Sequence, residues 1–130
     1  MDSTAPTPRV IITEEFERGK IEYSVIPSDT MADSSYNDLI KDGECKTWFN
    51  DVLVESANYT NGKLDGVRTK YYLNGDVRNT TTWVAGILHG KAVIWEEDRS
   101  RREYTNVNGK QVSPIQYWDS NGEYLGEVIT

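Results

Sequence analysis

Cysteine and histidine each occur once in this chain, at Cys45 and His89. One cysteine excludes an internal disulfide framework and fits a reducing, intracellular setting. One residue of each type also excludes the close Cys/His spacings of zinc sites, so no metal is expected. No apolar run approaches the ~20 residues that a membrane-spanning helix needs. The opening stretch Met1–Pro8 has neither a basic region nor an apolar core, which predicts no signal peptide. Phosphate-binding glycine loops are absent, and no cofactor is expected. A Cys45–His89 nucleophile pair would require the starts of adjacent repeat strands to meet, and no third orienting group is visible. The expectation is therefore a chain that is not an enzyme.

Positive charge is scarce as well. Fourteen Lys and Arg against 21 Asp and Glu give a net charge of −7. The deficit is lopsided: residues 1–60 hold five cations and twelve carboxylates, leaving nine of each for residues 61–130. Nucleic acids and anionic membranes both recruit cationic surfaces. Neither nucleic acid nor peripheral lipid is an expected partner.

What the chain has is aromatic side chains at a fixed period. Four Trp and eight Tyr stand against two Phe, and apolar residues make up only 37% of the sequence. That composition suits a thin sheet whose core is a row of rings, since Tyr and Trp tolerate half-wet positions. Trp48, Tyr71, Trp95 and Trp118 follow one another at steps of 23, 24 and 23 residues. Each lies five residues after Gly43, Gly66, Gly90 or, in the last case, Ser113. A second series, Tyr36, Tyr59 and Trp83, keeps the same period three residues ahead of Leu39, Gly62 and Gly86. In the last unit Tyr104 stands in, five residues before Gly109. Its two-residue offset keeps the same face of a strand. A constant period of this length marks a stacked-repeat architecture.

The unit is read as a β-hairpin. Asn61-Gly62 and Asn74-Gly75 are turn dipeptides, because Asn and Gly tolerate positive φ. Val67 to Tyr72 between them is rich in β-favouring residues. Rings at a constant register are expected to stack along one face of an elongated antiparallel sheet. Val10–Phe16 and Ile21–Ile26, joined by a turn at Arg18-Gly19-Lys20, read as a capping hairpin that is not a copy of the repeat.

The pattern carried by Asn61, Gly62, Lys63, Leu64, Gly66, Tyr71, Tyr72 and Gly75 resembles the MORN repeat, in particular its bacterial and giant-virus variant, a branch often labelled antitoxin. The next units match at Gly86, Leu88, Gly90 and Trp95, then at Asn108, Gly109, Lys110, Trp118 and Gly122. Departures are Leu39 and Ser113 at glycine places, and Arg99 where Gly75 would fall. The resemblance implies an all-β, single-layer sheet of about four 23-residue hairpins. The expected organisation is a flexible arm over residues 1–8, a cap and polar connector over 9–35, and repeats over 36–58, 59–82, 83–106 and 107–130.

The function that follows is a non-catalytic scaffold for protein–protein interaction, expected as a structural part of a larger assembly such as a virus particle. The alternative is an antitoxin-type protein that neutralises a toxin by direct binding. Arg99, Arg101 and Arg102 at one turn, and Val128 and Ile129 on a terminal edge strand, are the expected partner contacts. Copies of the chain itself are among the expected partners.

Overall fold

The computed structural model describes residues 9–27 and 39–128. Tyr36, Ile129, the predicted arm over residues 1–8 and the predicted connector over residues 28–35 lie outside the described residues. All regular structure among the described residues is strand: β1 (Val10–Phe16), β2 (Gly19–Pro27), β3 (Leu39–Phe49), β4 (Val52–Thr60), β5 (Lys63–Leu64), β6 (Gly66–Tyr71), β7 (Val77–Val84), β8 (Ile87–Leu88), β9 (Gly90–Trp95), β10 (Arg101–Val107), β11 (Lys110–Gln111), β12 (Ile115–Trp118) and β13 (Tyr124–Val128). They form one open antiparallel sheet in the order β1-β2-β3-β4-β6-β7-β9-β10-β12-β13. The short β5, β8 and β11 pair with β4, β7 and β10. Spatial order thus follows chain order, as expected when consecutive strands pair with one another.

Two kinds of turn generate the period. On one long side, Asn61-Gly62, Ala85-Gly86 and Asn108-Gly109 all have left-handed φ, at 50 and 82°, 49 and 84°, and 50 and 85°. Two consecutive left-handed residues match the twist of a two-residue hairpin. After each turn the chain pairs for two residues and then bulges. The N–H groups of Asp65, His89 and Val112 donate to the carbonyls of Asn58, Thr82 and Thr105 at 2.8–2.9 Å. The residue after the bulge is Gly66 or Gly90 in two units, at φ 107 and 119°. Ser113 fills this place in the last unit, where its Oγ accepts the Thr105 N–H at 2.8 Å.

On the opposite long side the turns are Tyr72–Asp76, Glu96–Ser100 and Asp119–Glu123, each closed by the same two backbone hydrogen bonds. Their fourth residue is left-handed in every case: Gly75 at φ 95°, Arg99 at 73° and Gly122 at 85°. The first unit departs, turning tightly at Asn50-Asp51 with φ 49 and 65°. In the cap the turn is Glu17-Arg18, with Phe16 paired to Gly19, not the Arg18-Gly19-Lys20 that the sequence suggested. Gly19 serves close approach instead, since a Cβ there would collide with the Trp48 carbonyl oxygen.

Residues paired across an antiparallel ladder point to the same side, and neighbours along a strand to opposite sides. The registers place Trp48, Tyr71, Trp95 and Trp118 on one face, here the ladder face. Tyr23, Tyr59, Trp83, Tyr104 and Tyr117 share the other, the tyrosine face. The expectation of a single aromatic face is corrected: Trp83 pairs directly with Gly66, whereas Tyr71 lies five residues, an odd number, along the strand from Gly66, so the two series fall on opposite sides. No large side chain is fully buried among the described residues. The buried apolar set is Val25, Cys45, Ala57, Ala92 and Val93, all small side chains, because a single layer lets rings cover only their neighbours.

Candidate functional site

The ladder face is built from one transverse row. Lys20, Trp48 and Leu53 pair across β2, β3 and β4. Tyr71 pairs with Val77, and Trp95, Arg101 and Trp118 pair across β9, β10 and β12. Strands lie about 4.8 Å apart, so rings two strands apart recur at roughly 10 Å. Cations cap two of them: Lys20 Nζ lies 5.0 Å from the Trp48 ring centroid and the Arg101 guanidinium 4.2 Å from that of Trp118. Tyr124 closes the row against Trp118, with ring centroids 5.2 Å apart. Tyr72 ties units together by donating its hydroxyl to the Trp95 carbonyl at 2.6 Å.

Toward the two-residue turns the same face changes character. Val67 (54% exposed), Val84 (51%) and Ile87 (49%) lie on β6, β7 and β8, with Val107 (39%) on β10. Val84 pairs directly with Ile87, and Val67 pairs with Thr82 two residues from Val84. The register brings these four apolar side chains to one face without a covering layer among the described residues. The first unit carries Glu44, Thr60 and, after its turn, Lys63 at the matching places, and the third carries Lys91 and Lys110 beside Val107, so the patch is centred on Val67, Val84 and Ile87.

The tyrosine face holds its rings with charge. Lys41 Nζ sits between Tyr23 and Tyr59, 4.9 and 5.1 Å from their centroids. Tyr23 donates its hydroxyl to Glu14 at 2.6 Å, and that bond raises its pKa above the ordinary value, helped by burial. Tyr104 pairs with Ala92, which is 0% exposed. Asn106 occupies the place of Tyr59 and Trp83, is 3% exposed, and leaves Nδ2 without a hydrogen-bond partner.

A feature invisible in the motif links the units along the turn side. Asp42 Oδ1, Asp65 Oδ1 and His89 Nδ1 accept the N–H groups of Asn61, Ala85 and Asn108 at 3.0, 3.1 and 3.2 Å. The following glycine N–H groups donate to the carbonyls of Lys41, Leu64 and Leu88 at 2.7–2.8 Å. Each left-handed turn is thus clamped to the unit before it. The signal was present in the sequence as an acceptor side chain at one repeat place. The Asn61 N–H, and then Arg9 at 2.7 Å, hold the Asp42 carboxyl below its usual range. His89 is therefore a structural acceptor, and it lies far from Cys45. Strands β4, β6 and β7 separate β3 from β9, so the sequence expectation of adjacent strands is corrected. The Cys45 thiol is buried, and burial pushes its pKa up.

The three arginines do not form one cluster. Arg101 lies on the ladder face and Arg102 on the tyrosine face, by alternation along β10. Arg101 Nε pairs with Glu103 at 2.8 Å, which Lys91 Nζ also contacts at 2.8 Å. Burial pushes the Glu103 carboxyl up, but the two cations outweigh it and hold it low. Arg102 and Arg99 reach Glu96 and Asp76 at 3.8 Å. Val128 is exposed on the edge strand β13. Among the described residues no cluster of His, Cys, Asp or Glu has the makings of a metal site. No helix among them is long and apolar enough to cross a membrane. An open groove of about 580 Å³ lies at the cap and is lined by Tyr23, Ser24, Asp42, Lys46, Asn58 and Tyr59 among others. Comparison with protein-family models and with curated proteins finds no match.

Proposed function

We propose that this chain is a MORN-like repeat scaffold that binds another protein through the ladder face and serves as a structural component of a larger assembly, such as a virus particle. The observation that carries the reading is the exposed apolar patch of Val67, Val84, Ile87 and Val107 beside the aromatic row. Exposed apolar side chains gathered on one face mark protein-interaction sites. A partner gains aromatic and aliphatic burial there without the chain having to reorganise. The test is native capture of the tagged full-length chain beside the Val84→Glu/Ile87→Lys variant. Both replaced side chains are exposed, so the variant keeps its fold. A stoichiometric partner retained by the parent and lost by the variant is the expected result. Equal recovery by both, or a bare chain from each, overturns the reading.

An antitoxin-type role, in which the chain neutralises a toxin by direct one-to-one binding, is favoured instead by the acidic first half, five cations against twelve carboxylates over residues 1–60. A basic, toxic partner of the captured complex would select it.

A further inference from the structure

We propose that the chain forms a two-fold dimer by antiparallel pairing of β1 with β1 of a second copy, centred on Thr13. The inference is independent of the partner-binding reading, since it uses an edge and not a face. An open sheet ends in two strands whose outer backbone groups are unpaired, and these are templates for another chain. Among the described residues the ends are β1 and β13. They are not equivalent. The register of β13 slips between Tyr117 and Trp118, where Leu125 is left over, and Gly126 takes φ 112°. A bulge of this kind blunts an edge. By contrast β1 pairs with β2 over seven consecutive residues without irregularity, and none of its residues has positive φ. Val10, Ile11 and Phe16 on it are exposed.

The side chains select the occupant and the register. A two-fold axis normal to the sheet opposes residues of equal parity on the same face. Centred on Thr13, it sets Val10 against Phe16, Ile12 against Glu14, and Ile11 against Glu15. Arg9 stands across from Glu17. No carboxylate faces a carboxylate, and the whole of Val10–Phe16 is used. Centring on Glu14 would oppose like charges, and centring on Ile12 would leave Phe16 unpaired. A self-complementary patch closes on itself, so assembly stops at two copies. The ladder faces of both copies then lie on one side of a continuous sheet.

Sedimentation equilibrium of the full chain across a wide concentration range reads the result directly. The expected mass rises from 14.8 kDa toward twice that value and goes no further. Thr13→Lys, at an exposed position, places two ammonium groups across the axis and weakens dimerisation by about tenfold or more, while Leu125→Lys on β13 leaves it unchanged. Under mild oxidation Thr13→Cys gives a covalent dimer, because directly opposed strand residues lie within disulfide reach. Circular dichroism and melting of both Lys variants confirm that the monomer fold is kept. A constant monomer mass overturns the proposal. So does a dimer indifferent to Thr13→Lys. A ladder of oligomers sensitive to Leu125→Lys also overturns it, since that is the signature of β1 pairing head to tail with β13.

Discussion

Replacing Arg99 by glycine should stabilise the chain. The three turns Tyr72–Asp76, Glu96–Ser100 and Asp119–Glu123 share one hydrogen-bond pattern, and their fourth residue is left-handed each time. Arg99 adopts φ 73° where the others use glycine. A side chain in that region costs about 1–2 kcal/mol. Glycine returns about 0.5–1 kcal/mol of this through its freer unfolded state. The ion pair lost is weak: Arg99 meets Asp76 at 3.8 Å, with side chains 77% and 45% exposed, so it contributes close to nothing. The net expectation is a gain of about 0.5–1 kcal/mol, a rise of a few degrees in Tm for a domain of this size. Gly75→Ala and Gly122→Ala should lose a similar amount. A Cβ at either place meets nothing within 4 Å, so backbone conformation alone is read. Urea titrations of the three variants at one protein concentration supply the comparison. An Arg99→Gly protein less stable than the parent, with both Gly→Ala variants neutral, would refute the argument from φ.

Trp95→Ala should cost about 2–3 kcal/mol in a urea titration, less than the 3–5 of a fully buried ring, because Trp95 is only half-buried on a single layer. His89→Leu removes the acceptor of the Asn108 N–H at an exposed site and should cost about 0.5–1 kcal/mol, whereas His89→Asp, which copies Asp42 and Asp65, should keep most of the stability. Asp42 and Glu103 have folded pKa values below their ordinary ones, so their stabilisation is complete above the usual carboxylate range and is lost as pH falls through the lowered values. Acid titration of stability should therefore be shallower in Asp42→Asn than in the parent. The buried Cys45 should label with a thiol reagent far more slowly in the native than in the urea-unfolded chain.

Much of the architecture was legible because it is written in local chemistry. Asn61-Gly62 and Asn108-Gly109 announce left-handed turns, and the spacing of Trp48, Tyr71, Trp95 and Trp118 fixes the period. Ala85 and Arg99 hide the same conformation behind side chains that rarely adopt it, and only the period pointed to them. The division of rings between two faces was not read, because it depends on bulges at Gly66 and Gly90 that shift alternation by one residue. The cap turn was misplaced because Gly19 looked like turn chemistry, whereas the packing of β3 against its backbone is what requires a glycine. The clamps of Asp42, Asp65 and His89 were legible as a repeated place but not as acceptors, since their donors come from the following unit. The apolar patch needed the fold: Val84 and Val107 keep the repeat period, but Val67 and Ile87 come from other repeat places, and only the strand registers bring them to the same face.

The partner-binding reading is tested most directly by footprinting the captured complex with a carbene or hydroxyl-radical reagent. Binding through the ladder face predicts protection of Val67, Val84, Ile87 and Val107 on complex formation, with Tyr23 and Tyr59 on the opposite face labelled as in the free chain. Protection confined to the tyrosine face, or a labelling pattern identical in free and captured chain, would contradict it.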